Sequence, residues 1–578
     1  MYDLVIRNGT LVDGTGASRR IADVGILGGR IVELGRIDAS QGRRVIEAEG
    51  LVVAPGLIDL HTHYDPQLTL DPFASSSCFH GVTSVVTGNC GFAVAPTRPS
   101  AREGVKQIFA RVEEIDLDVL DRMTWDFETV PELLTAREGG LGVNAAFYIG
   151  HSNLRLWVLG EAAYEREATE AEVAAMRAIV REAMTAGAAG FSSSHSPTDL
   201  DLQDRPVPSR LSSLTELEAL ADEVGRSNAG SIAYLPRSAV GGLSQSDGEL
   251  LIRLALGTRR PVIIQGLGAR SKVDAPTATW PRSEAYLEHA RKLGAPVYSL
   301  LIARPFQRPF DLVRGTTMFE GALAFHRLFS EAKDVPTRMA MLRDPAYRDA
   351  IRHCVEHPNH DPEAGPTTPP PQLETLFVHR VRDPANRALE GRRLVDLAKE
   401  RGVAPLDALV DLAASEDLET VFLWNNDTPE WRDGTALAMA HPQMLVGTSD
   451  GGAHLGRDDN AEFSSYFLRY WVREWGRVSL EQGIRELTAI PAALLGLTDR
   501  GLVLPGCQAD LFLFDPDTIG PDRKWLGEDR IPGQTRWTSR PRGVRATIVN
   551  GVPIVEHGEL VDERARPGQV LRPTRVGA

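Results

Sequence analysis

The rhythm of apolar and polar positions changes twice along the chain. At the start, short apolar runs are broken by Asn-Gly or Gly-Gly: Leu4–Arg7 precedes Asn8-Gly9, and Val24–Leu27 precedes Gly28-Gly29 and Arg30–Leu34. This pattern predicts β-hairpins. The far end has the same texture, with Ala509–Phe514 and with Ala546–Val549 ahead of Asn550-Gly551. A small β-sandwich built from both ends, residues 1–55 and 500–578, accounts for both. Between them, short β-rich runs alternate with helical text: Leu57–His63, Val82–Gly88, Val143–Gly150, Ala188–Ser194, Ser231–Leu235, Pro261–Gln265, Pro296–Ile302 and Met444–Ser449. Thr169 with Glu172 and Ser213 with Glu216 predict capped helices ending at Gly187 and near Asn228, and Ser283–Leu293 predicts a third. Eight strands alternating with helices predict an α/β fold, a (β/α)8 TIM barrel over residues 56–499. The last two runs are separated by residues 303–440, which carry helical text and the Pro-rich stretch Pro366–Pro371. An insertion that long before the last barrel strand reads as a lid or subdomain.

Composition narrows the class. Of 578 residues, 42% are hydrophobic and 24% charged, which excludes disorder on composition. The net charge of −15 argues against nucleic acid or an anionic membrane as the main partner. Four cysteines, Cys78, Cys90, Cys354 and Cys507, show no paired spacing, so a reducing compartment fits better than a disulfide framework. No apolar run reaches the roughly 18–20 residues of a spanning helix. The opening Met-Tyr-Asp-Leu-Val-Ile-Arg does not read as a signal peptide, and a cytoplasmic location is expected.

In such a barrel the reactive groups lie at the C-terminal ends of strands. The first run ends with His61 and His63, two apart and able to face one ion. The second ends with Cys90 between Asn89 and Gly91, a soft ligand as thiolate or else a small buried hydrophobe. The third ends with His151 and Arg155, suited to polarising a carbonyl and gripping a carboxylate, or to structural hydrogen bonding. The eighth ends with Asp450 in a Gly-rich turn, placed to bind metal and to shuttle a proton for attacking water. Each residue alone has an ordinary reading. Four metal-compatible residues at three strand ends carry more weight than any one.

Ala54–His63 resembles the first-strand signature of the amidohydrolase superfamily. Gly88–Gly91, Gly150–Arg155, Ser449–Gly451, Arg500-Gly501 with Gly506 and Ala509–Leu511, and the closing Arg566–Gly568 with Val570–Arg572 resemble its D-aminoacylase (N-acyl-D-amino-acid deacylase) branch. The resemblance spans nearly the whole chain. It implies a metal-bearing barrel with a β-sandwich from both termini, hydrolysing a C–N amide, often of an N-acyl amino acid, with zinc. It makes His61, His63 and Cys90 metal ligands, and Asp450 both a ligand and the general acid/base. It also exposes two departures. The family's His-x-Arg segment at the end of strand five reads Ser231–Arg237 here, with no His, and its Ser-His at strand six reads Gln265-Gly266-Leu267-Gly268. A single Zn2+ on His61, His63 and Asp450, with Cys90 as fourth ligand or neighbour, is therefore expected over two ions. Recruitment of His195 as a ligand, or loss of the metal, are the alternatives. His151 or Tyr234 is expected to stabilise an oxyanion. Arg155, Arg237 or Arg270 is expected to hold an acidic substrate, and His195 to line its loop. The implied partner is a small-molecule amide, in a chain compatible with a homo-oligomer. The competing reading is a non-hydrolytic or inactive ligand-binding barrel.

Overall fold

The structure is a computed structural model that describes residues 1–238, 243–265, 267, 279–359, 361, 364, 370–455 and 460–575. Its centre is a sheet of eight strands, all parallel: β1 (Leu57–Asp59), β2 (Val82–Thr87), β3 (Asn144–Gly150), β4 (Gly190–Ser194), β5 (Ser231–Leu235), β6 (Val262–Gln265), β7 (Val297–Leu301) and β8 (Met444–Val446). Each pairs with the next in chain order. The ring closes where Thr62 bridges Gly451 in parallel and the His63 N–H donates to the Gly451 carbonyl at 2.8 Å. All eight predicted runs are strands. Alternation sorts their side chains: Ile58, Tyr148, Ala233, Ile263 and Leu300 fill the barrel, while Phe191, Ile232, Tyr234 and Ile264 pack in the large core that also takes in helical residues.

The helices follow their caps. Glu170–Ala186 begins at Thr169, whose hydroxyl accepts the Glu172 N–H while the Glu172 carboxylate accepts the Thr169 N–H at 2.7 Å. It ends at Gly187 with φ 103°, in the left-handed region where glycine carries no Cβ penalty. Leu214–Ser227 begins at Ser213, but only half of the predicted box forms, because the Glu216 carboxylate turns inward. The third helix starts at Thr279 rather than Ser283, and Ser283 is buried within it.

Both chain ends share one nine-stranded sheet. Val52–Pro55 pairs antiparallel with Leu511–Phe514, joining N-terminal strands to C-terminal ones. Leu4, Ile6, Val24, Ile26, Leu511 and Ile548 form its core. Gly28-Gly29 and Asn550-Gly551 are hairpin turns. Asn8-Gly9 is not: Tyr2–Leu11 runs straight through it, with Asn8 at φ 58° and a register shift between Ile6 and Gly9. The two residues make a bulge because flanking Leu4–Ile6 and Thr10-Leu11 pair with the same neighbour.

The insertion has its own core. Strands Gln307–Phe310, Val421–Asn425 and Leu376–Arg380 form an antiparallel sheet. Phe310, Phe325, Leu409 and Phe422 pack beneath it with helices such as Leu323–Ser330 and Pro405–Ser415. Part of the Pro-rich stretch, 366–369, lies outside the described residues.

Candidate metal centre

Two tight turns bring the strand ends together. After β8, Asp450 sits at φ 52° and Gly452 at φ 89°. A Cβ at Gly452 would lie 2.9 Å from the His63 carbonyl carbon, so only glycine lets this turn pack against the end of β1. After β2, Cys90 takes φ 56°, a conformation unusual for a side-chain-bearing residue and the kind of strain that clusters at functional sites.

The outcome is a triad of donors. The Nε2 atoms of His61 and His63 are 3.3 Å apart, and Cys90 Sγ lies 3.6 Å from the first and 3.9 Å from the second. All three residues are buried, and these ligand atoms lie within 4.8 Å of one another. Asp450 Oδ1 is 3.4 Å from His61 Nε2, but Asp450 stands beside the triad and not inside that 4.8 Å group.

The spacing suits a cation. Zinc–nitrogen bonds of about 2.05 Å and zinc–sulfur bonds of about 2.3 Å at tetrahedral angles separate two nitrogens by ~3.3 Å and nitrogen from sulfur by ~3.6 Å. Electrostatics agree. Burial holds both imidazoles below their ordinary pKa, opposed at His61 by Asp450 and reinforced at His63 by His61 and His454, so both are neutral donors. Burial, then Glu113, Asp199 and Asp450, push the Cys90 thiol well up. Burial lifts Asp59 to about 7 and Asp65 to about 8. Glu113 is raised well above the usual range by burial and by the surrounding carboxylates, first Asp450. Buried acids around neutral donors are what a positive ion would relieve.

The departures at strands five and six are visible in the same place. Leu235 and Gln265 join His61, Cys90, Leu60 and Ile263 around a small cavity at the barrel mouth. Leu235 offers no donor atom. Gln265 donates its side-chain N–H to Cys90 Sγ at 3.3 Å. Gly266, Gly268 and Arg270 lie outside the described residues.

Four sequence expectations lie outside the donor triad. His151 is fully buried and bridges Ser193 Oγ at 2.8 Å and Glu216 Oε1 at 2.9 Å. Arg155, also fully buried, grips both Glu216 oxygens at 2.7 and 2.6 Å, so its guanidinium is spent inside the protein and not offered to substrate. Tyr234 adds to the cavity wall. Its hydroxyl, however, is turned to the outer layer, where it bonds His195 Nδ1 at 2.7 Å. His195 Nε2 bonds Ser212 Oγ at 2.8 Å, which places His195 in this side-chain chain and outside the donor group. The Ser212 hydroxyl donates to the Ser209 carbonyl, so His195 Nε2 carries the proton and Nδ1 accepts from Tyr234. That consumes the hydrogen an oxyanion would need. Arg237 is exposed just beyond the end of β5.

Sequence reasoning missed Glu113. It follows the helix Arg102–Val112, far from any strand end, yet its Oε1 lies 3.3 Å from His63 Nδ1. Two adjacent acids at a helix end were the one available signal.

The amidohydrolase family model matches residues 44–555. The chain belongs to the amidohydrolase family. Within the family, it is 30% identical over 583 residues to an N-acyl-D-aspartate deacylase of Alcaligenes xylosoxydans xylosoxydans, covering 99% of this chain and 95% of that one. A D-aminoacylase of the same organism is 28% identical, over 99% and 98% of the two chains. Among solved structures, an N-acyl-D-glutamate deacylase of Bordetella bronchiseptica, complexed with zinc and a phosphonate mimic of the tetrahedral intermediate, superposes with a TM-score of 0.65. It is 25% identical, over 99% of each chain. This amidohydrolase is a D-aminoacylase-branch enzyme that hydrolyses a C–N amide bond. Among its described residues no helix is long and apolar enough to cross a membrane.

Proposed function

We propose that the enzyme cleaves N-acyl amino acids or related N-acyl amines with one divalent cation, zinc by donor chemistry, held by His61, His63 and Cys90. The observation that carries this reading is the convergence of three buried donors at tetrahedral spacing, with Asp450 at their edge. Three protein ligands and an open position are the pattern of catalytic rather than structural zinc. One ion is favoured over two because the segments that resemble the family's further histidine segments, Ser231–Arg237 and Gln265–Gly268, contain no histidine.

A cation bound there supplies Lewis-acid polarisation of the scissile carbonyl and makes water acidic enough to attack near neutral pH. The residues do the rest. Asp450 Oδ1 faces the triad, takes the proton from attacking water and returns it to the leaving nitrogen. Leu60, Leu235 and Ile263 give the mouth an apolar wall that keeps bulk water from the acyl group. Gln265 donates to the sulfur of Cys90 and lowers the burden of its charge. Arg237 is the proposed contact for a substrate carboxylate. His151, Arg155 and Glu216 form a buried brace beneath the mouth.

The test is a panel of N-acetyl, N-formyl and longer N-acyl D- and L-amino acids, read by product mass. Hydrolysis adds one water, and the reading expects free amine plus carboxylate in wild type and little in Asp450→Asn. Turnover that adds no water, or equal turnover by Asp450→Asn, overturns it.

A further inference from the structure

We infer that Glu113 is the positioning residue of the metal centre: it holds the His63 ring by its outer nitrogen and so keeps Nε2 aimed with His61 and Cys90. The inference rests on the cation reading above and deepens it.

Glu113 is only 3% exposed, in a protein where buried carboxylates are normally paired. Its Oε1 faces His63 Nδ1 at 3.3 Å, the nitrogen opposite the one that converges on the triad. That Nδ1 is buried and makes no hydrogen bond among the described residues, so the carboxylate is the acceptor poised for it. The flat of the His63 ring lies against Phe92, with centroids 5.9 Å apart and planes 22° from parallel. An apolar plate and a carboxylate at the outer edge together define where the ring points.

Glu113 is tied to the opposite side of the mouth as well. Its carbonyl accepts the His454 N–H at 2.7 Å, and its Oε2 lies 4.0 Å from His454 Nε2. His454 follows Asp450 by four residues, and its Nδ1 lies 3.3 Å from Glu114 Oε2. One short acidic segment therefore spans the end of β1 and the turn after β8, the two pieces that carry His63 and Asp450. Ligating histidines depend on such outer carboxylates, and removing one weakens metal binding by about 10–100-fold.

The experiment uses the full chain stripped of metal. Zinc affinity is measured by competition with a chromophoric chelator, and the cobalt-substituted absorption spectrum is recorded. Glu113→Ala is expected to bind zinc about 10–100-fold more weakly than wild type and to show altered cobalt bands. Glu113→Gln, which keeps the shape and an acceptor oxygen but not the charge, is expected to recover part of the affinity. Thermal melting of both metal-free variants checks that they fold, and Gln serves alone if Ala does not. Wild-type zinc affinity and an unchanged cobalt spectrum in the folded variants overturn the role of Glu113 alone. No zinc binding by wild type overturns the cation reading and this inference together.

Discussion

Two buried polar triads sit at neighbouring strand ends, and they are built on opposite principles. His151, Arg155 and Glu216 close on one another: the carboxylate takes both Arg155 Nη1 contacts and His151 Nε2, and Ser193 takes the remaining ring nitrogen. The partners hold Glu216 below its ordinary pKa against the opposing effect of burial. His61, His63 and Cys90 instead converge their ligand atoms on one shared spot. Burial alone therefore says little about function. A closed set of hydrogen bonds marks a brace, and a convergent set of ligand atoms marks a site that suits an ion.

The largest effect separating the two should come from emptying the open triad. His61→Ala with His63→Ala is expected to abolish bound metal and cut kcat/KM by ~1,000-fold or more, since the ion supplies several kcal/mol of transition-state stabilisation. Steady-state assay and metal analysis check both, and thermal melting of the metal-free variant checks that it folds. Next is Asp450→Asn, expected to lower kcat by about 100–10,000-fold with metal content retained, the range for a lost general acid/base.

Breaking the closed triad should do the reverse. Glu216→Gln leaves Arg155 without a counter-ion, and losing one partner of a buried pair costs about 3–5 kcal/mol. Chemical denaturation should show that loss, with bound metal unchanged. If Glu216→Gln instead removed metal and left stability intact, the contrast between brace and site would collapse.

The smallest effect concerns pH. Burial holds His195 near 4 in the fold, below the 6.5 of an ordinary imidazole. The unfolded chain therefore binds more protons between those values, so this histidine's contribution is full above about 6.5 and fades as pH falls toward about 4. His195→Gln should flatten the stability–pH curve by one proton in that window and change kcat less than about tenfold, as expected for a group outside the triad. Denaturation of wild type and variant across pH 4–7 measures it, and the difference cancels the other buried groups.

The contrast also explains what could be read from the chain. All eight barrel strands were legible because each is a short apolar run before a polar strand end. His61 and His63 were legible because a two-residue spacing at a strand end puts both on one face. His151 and Arg155 left two readings open because the same position, a strand end followed by a helix, serves equally for substrate contact and for bracing. Their partner was in view but misread: Glu216 looked like a capping residue, and a capping box and a buried counter-ion share one sequence pattern. Tyr234 lies in the strand-five run, but alternation along β5 turns its hydroxyl outward to His195. Asn8-Gly9 carries the same dipeptide as Asn550-Gly551, but a bulge and a hairpin differ only in which strand the next residues pair with. Glu113 could not be found this way, since its approach to His63 exists only once the loop after β2 has folded over the mouth.

The central claim is that the open triad holds one catalytic ion. The most direct measurement is metal per chain by mass spectrometry, on wild type purified without added metal and then equilibrated with zinc, beside the His61→Ala, His63→Ala variant. The account predicts one ion per wild-type chain and none retained by the variant. No ion in wild type after zinc equilibration, or an ion that survives loss of both histidines, would contradict it.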